Sequence, residues 1–257
     1  MDPVELWRYR DLLMLLAQRD VTVRYKQTLL GVSWALLQPL GPMLVFTLVF
    51  TRFIKIPGGE HPYALFVLSG LVPWTYFSVG VNSASLSLVS QANLISKVYF
   101  PRLVLPSAAV LARLPDLLVG CALLLVLMGT YGVRFSSGLL CLPAITVLLA
   151  VLTFAGGLNL AAFNTIYRDA HQALPLALQL WMFLTPVVYA RAVVPSGWRW
   201  LLVMNPVTGV IESFRAVLMS EPIPWSHLGL SALFSLVLLS TGLVLFVRME
   251  KHLADYL

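Results

Sequence analysis

Ionisable side chains inside apolar sequence are where chemistry would be sought in this chain, and there are few of them. Arg113 and Asp116 stand three residues apart within an apolar run, a spacing that puts both on one face of a helix. At membrane depth such a pair has two readings. It is a gate or phosphate-handling site, since intramembrane charge marks function, or it snorkels to nearby headgroups. Snorkelling is the plainer reading, because Arg113 lies only about two turns into the run. His61, His171, His227 and His252 are scattered near run ends or a terminus, where solvated histidines are expected rather than metal ligands. The sequence has no Gly-Lys dipeptide and hence no Walker A loop, and it lacks HExxH, Cys/His metal spacings and a GxSxG elbow. No catalytic residue, metal site or cofactor is expected on this chain.

The elements that hold these residues are legible from composition. Of 257 residues, 59% are hydrophobic and 11% charged, and the mean hydropathy is +0.86. That is too apolar for a soluble domain of this length. Charge is clustered, leaving uncharged tracts at 27–51, 62–96, 117–133, 135–167, 172–190 and 228–247. A span needs roughly 20 apolar residues, and none of these tracts alternates as a barrel strand would. The reading is an all-α polytopic membrane protein, a single unit with six spans at 31–52, 63–84, 107–130, 139–165, 173–190 and 228–248. The net charge of +6 then belongs to span flanks and anionic lipid, not to nucleic acid. Cys121 and Cys141 lie inside apolar runs as packing residues. No cleavable signal peptide is expected at the start.

Residues 1–28 read as an amphipathic interfacial helix, with Asp2, Pro3 and Glu5 as start signals and Trp7 at the headgroups. Between spans 5 and 6, the apolar but charge-broken segment has an uncharged core, 200–211, too short to cross; Asn205-Pro206 looks like a cap and first turn. One or two re-entrant or interfacial helices are expected there. With both termini inside, ten basic residues face the cytoplasm: Arg8, Arg10, Arg19, Arg24, Lys26, Lys97, Arg102, Arg168, Arg248 and Lys251. Six face out: Arg52, Lys55, Arg134, Arg191, Arg199 and Arg215. The bias puts both termini, 249–257 included, and the stretch NLISKVYFPRLVLP (93–106) in the cytoplasm. In that stretch Leu94, Ile95, Val98 and Tyr99 form one apolar face of a short helix that Pro101 stops near Phe100. It is either a linker lying on lipid or a docking helix with basic residues for an acidic rim. The residues alone leave both open.

Four stretches decide between them: RYKQTLLGVSWALLQPL (24–40), NLISKVYFPRLVLP, YRDAHQALPLALQLWMFLTPVVY (167–189) and NPVTGVIESFR (205–215). Together, in this order and across nearly the whole chain, they resemble the permease subunit of ABC-type polysaccharide exporters, the family of O-antigen, teichoic acid and capsule export. The resemblance implies a homodimer bound to two nucleotide-binding ATPase subunits, which would hold the ATP and Mg. It implies a bacterial inner-membrane location and a lipid-linked polysaccharide as substrate. It assigns ATPase coupling to Leu94, Ile95, Lys97, Val98, Tyr99 and Arg102, with Arg168 and Asp169 on the same side. Asn205, Pro206, Glu212 and Arg215 would belong to external re-entrant helices that close the pathway.

A polysaccharide path should offer area with few fixed hydrogen bonds, which aromatic faces do. Phe46, Phe50 and Phe53 recur at i, i+4 and i+7, and Trp34, Trp74, Phe77 and Trp181 are further pathway candidates. Packing within the bundle is the competing reading for each ring. Arg24 and Lys26 are placed for the carrier's diphosphate, although orientation bias alone would also put them there. Two alternatives stay open: an exporter of a small drug or lipid, and an intramembrane enzyme on polyprenyl-linked substrates, which would need convergent acids and bases that the chain does not offer.

Overall fold

The computed structural model describes residues 7–26, 31, 33–53, 62–133, 136–166 and 170–250, and among them there is no strand. Helix α1 covers Arg10–Tyr25. Helix α2 covers Ser33–Leu48 and runs into a wide π turn at Val49–Phe53. Then come α3 (Tyr63–Ser90), the short α4 (Ala92–Lys97), α5 (Val104–Leu111) and α6 (Leu114–Thr130). A 3₁₀ turn at Ser137–Cys141 leads into α7 (Leu142–Ile166), followed by α8 (Ala170–Leu184). The chain closes with α9 (Arg199–Met204), α10 (Pro206–Leu218) and α11 (Trp225–Glu250).

Five stretches are long and apolar enough to cross a membrane: Ser33–Phe53, Tyr63–Ser90, Val104–Thr130, Ser137–Thr165 and Trp225–Met249. The expected span at 173–190 is shorter. Helix α8 has 15 residues, about 22 Å at the helical rise, and stops at Leu184. Pro186 explains the stop, because the residue before a proline is driven out of helical geometry. The third span is broken at Ala112–Arg113, where Pro115 can neither donate to the preceding turn nor fit its ring against it. Helices α9 and α10 meet at 96°, a broken span or re-entrant pair. Asn205 is the corner: its side chain accepts from the Val207 amide (3.1 Å) and Pro206 starts α10, as a cap and first turn should.

Helix α3 is the axis of the bundle and packs along α7, which packs along α11. Small residues let α3 and α7 approach: a Cβ on Gly80 would lie 2.5 Å from Thr153, and one on Gly157 2.5 Å from Ala84. Side-chain amides tie the layers. Asn164 donates to the Ser85 carbonyl (3.2 Å) on α3, and Asn159 donates to the Leu238 carbonyl (2.7 Å) on α11. Helix α2 is mostly exposed in the isolated chain, leaving a long apolar face for lipid or another subunit. At Gly209 the backbones of α10 and α11 nearly touch, and an added Cβ would fall 2.2 Å from the His227 carbonyl oxygen. Gly209→Ala must therefore separate the two helices. We expect a loss of about 1–3 kcal/mol, seen as a lower unfolding temperature of the purified protein; an unchanged temperature would refute the close contact.

Candidate coupling and gating sites

The loop after α3 is folded into the protein on one side and exposed on the other. Leu94 and Ile95 are half-buried against a cluster formed by Leu16, Leu88, Phe100, Leu103 and Val104. Val98 and Tyr99 face outward, 53% and 91% exposed. The single apolar face expected from spacing is therefore split. The helix ends at Lys97 and Val98 is extended, so the 3.6-residue period stops one turn early and swings Val98 and Tyr99 away. Residues 95–100 and Arg102 line a depression of about 200 Å³. Exposed apolar side chains thus stand beside Lys97, with a hollow behind them.

Helix α1 is clasped to this region, not merely laid on lipid. Leu16 and Ala17 are buried in the same cluster. Arg19 reaches the Gln91 side chain at 3.5 Å. Arg24 donates to Asp116 (2.6 Å) and to the Ala112 carbonyl (3.3 Å), which the break between α5 and α6 leaves open. The Tyr25 hydroxyl also donates to Asp116. Burial, reinforced by Asp116, pushes the Tyr25 phenol above its ordinary pKa, so it stays protonated and can donate. Arg113 lies 3.8 Å from Asp116 and donates to Ser83 (2.8 Å). The Arg113/Asp116 pair is therefore packed between helices. Both side chains are mostly covered, at 20% and 15% exposed, and face α1 and α3. Arg24 is likewise paired with Asp116. Lys26 is exposed at the end of α1.

On the opposite side Arg215 is buried at 6% exposure. It donates to Ser69 (3.3 Å) and to the carbonyls of Pro186 (3.1 Å) and Val187 (2.7 Å), and its guanidinium lies 3.8 Å from the Phe66 ring centre. Gly70 makes room, since a Cβ there would lie 2.4 Å from the Val187 oxygen. Glu212 accepts from His227 Nδ1 (2.8 Å), and His227 Nε2 accepts from Arg191. Asn205 donates to Thr185 (2.8 Å). The bent pair α9–α10 is thus bolted to α3, to the turn after α8 and to the start of α11.

Residues 11–219 match the model of the ABC-2 type transporter family. This chain belongs to the ABC-2 type transporter family. It is similar to the O-antigen export system permease protein RfbA of Myxococcus xanthus, 32% identical over 254 residues, covering 98% of this chain and 97% of that one. A Klebsiella pneumoniae protein of the same name is 27% identical, with 96% and 95% covered. The polysialic acid transport protein KpsM of Escherichia coli is 26% identical, with 91% of each chain covered.

In this ABC-2 transporter chain the aromatic residues divide. Phe46 and Phe50 continue a ladder through Tyr63 to Phe66, with ring centres 6.2, 5.7 and 6.0 Å apart. That ladder ends under Arg215, so it ties α2 to the re-entrant anchor. Phe53 leaves the stripe and is 73% exposed, because the π turn at 49–53 takes more residues per turn and rotates it off the face. Trp34 is exposed near the start of α2. Trp74 and Phe77 do not border a path within this chain: they are 4% and 1% exposed. They pack edge-on against Trp181 at 6.4 and 5.4 Å, a core contact between α3 and α8. Arg168 and Asp169, like Asp2, Pro3 and Glu5, lie outside the described residues. Sequence reasoning missed Tyr25, Gln91 and Ser83 as partners of the arginines, and His227 as the partner of Glu212. Neutral polar residues on separate helices carry no local signal of their pairing.

Proposed function

We propose that this chain is the transmembrane subunit of an ATP-driven exporter that carries a lipid-linked polysaccharide across a bacterial inner membrane. Its similarity over 98% of its length to a protein named as an O-antigen export permease carries the reading. It works as a homodimer with two ATPase subunits, which hold the ATP and Mg. The whole chain forms one permease domain, with both termini in the cytoplasm and α8 as the short fifth crossing. Val98, Tyr99, Lys97 and Arg102 meet the ATPase. Leu94 and Ile95 pass the displacement inward, through the cluster they share with α1 and α5. Helix α1 leads directly to α2, so a stroke at the loop reaches the first span through the Arg24–Asp116 clasp. The exposed α2, with Trp34 and Phe53, borders the path. Lys26 meets the carrier's diphosphate, and the re-entrant pair closes the outer end.

Deleting the gene in its source bacterium tests this. Polymer should accumulate inside the cell, vanish from the surface and return with the wild-type gene. Surface polymer that persists in the deletion strain would contradict the proposal.

A further inference from the structure

Behind α1 lies a mixed polar and apolar cavity of about 430 Å³, between α1, the last two turns of α3 and the first half of the third span. This is far above the roughly 10–15 Å³ that one water needs. Arg19, Arg24 and Arg113 line it together with Asp20, Ser83 and Ser87. Asp20 pairs with Arg19 at 2.9 Å and Asp116 pairs with Arg24 at 2.6 Å. Three arginines against two carboxylates leave one net positive charge, which belongs to Arg113.

That arginine is incompletely satisfied. Its Nη2 donates to Ser83 and its Nη1 stands 3.8 Å from Asp116, but its buried Nε has no partner. A charged donor left open in a membrane-embedded wall is costly. The Ser87 hydroxyl donates to the Ala84 carbonyl at 2.7 Å, and a neutral hydroxyl leaves the charge excess in place. The sealed Nε is out of a ligand's reach, and it is the net positive charge of the lining arginines that an anionic acceptor in the cavity would balance. Its other wall, Leu16, Leu105 and Ala109, is apolar, so it suits the glycerol and first methylenes of a lipid rather than a free hydrated ion. Depth agrees, since Ser83 to Gln91 end the second span within about 12 Å of its terminus, where headgroups lie.

We propose that this cavity binds the phosphate of an anionic membrane lipid, anchored by Arg113 and Arg19, and that the bound lipid wedges α1 in its clasped position. The proposal is independent of what the chain exports and of which side α1 faces.

Native mass spectrometry of the full-length protein tests it, with phosphatidylglycerol and phosphatidylcholine of identical acyl chains as probes. One phosphatidylglycerol should remain bound at collision energies that strip phosphatidylcholine. Arg113→Gln and Arg19→Gln each take the cavity from one net positive charge to none, and each should weaken retention about fivefold. Arg19 is 39% exposed, so its variant reports on binding even where Arg113→Gln fails to fold. Equal retention of the two lipids, or unchanged retention in Arg19→Gln, would reduce the site to ordinary boundary lipid. Displacement of the lipid by millimolar inorganic phosphate would make it a free-anion site. Any of these results overturns the proposal.

Discussion

Arg215→Met should cost about 3 kcal/mol or more of stability, the largest effect expected from any single side chain around α9 and α10. Methionine keeps the volume but removes every donor. The Pro186 and Val187 carbonyls, bonded at 3.1 and 2.7 Å, are then left without their partner, at about 1–3 kcal/mol each. Arg215→Lys should recover little, because one ammonium cannot span three acceptors that a planar fork reaches together. Thermal unfolding of the purified protein and protease cleavage within 185–199 report on this. Lower unfolding temperature together with new cleavage is expected. An unfolding temperature like that of the parent protein would mean that the anchor does not hold the re-entrant pair.

The second large effect is functional and should leave the fold intact. Val98→Asp with Tyr99→Asp places two carboxylates where two exposed side chains now stand, and neither supports the core. Burying even one unpaired carboxylate in an apolar docking groove is worth a factor of about ten or more in affinity. Co-purification of the ATPase subunit should drop by at least that factor, with the permease still inserted and dimeric. Ile95→Asp is the contrasting variant: Ile95 packs into the cluster beneath α1, so this change should lower stability as well as coupling. A double variant that keeps its ATPase and exports normally would remove the docking role from this loop.

How much of this was legible in the sequence depended on how local each cause is. Apolar tracts and the prolines located most spans, and Asn205-Pro206 marked the corner between α9 and α10, because capping and ring geometry act within one turn. Pro186 should have shortened the fifth span, yet its apolar flanks through Tyr189 masked the stop. The loop after α3 was found from its prolines. Its face was misjudged because a helix of six residues does not complete the repeat that the spacing assumed. The Arg24–Asp116 clasp joins residues 92 positions apart, and nothing in the local sequence of either announces the other. Trp74 and Phe77 have the types and spacing of a sliding surface, and only their placement against Trp181 makes them core.

ATP-dependent transport in a purified system tests the exporter role directly. The chain and its ATPase subunit, reconstituted into vesicles with the nucleotide sites outward, would be given labelled lipid-linked polysaccharide and ATP. We expect polymer to become protected inside the vesicles only when ATP, the ATPase and this chain are all present. The Val98→Asp, Tyr99→Asp variant should give no protection. Protection without the ATPase, or none with the complete system and a lipid-linked polysaccharide from the source bacterium, would contradict the account.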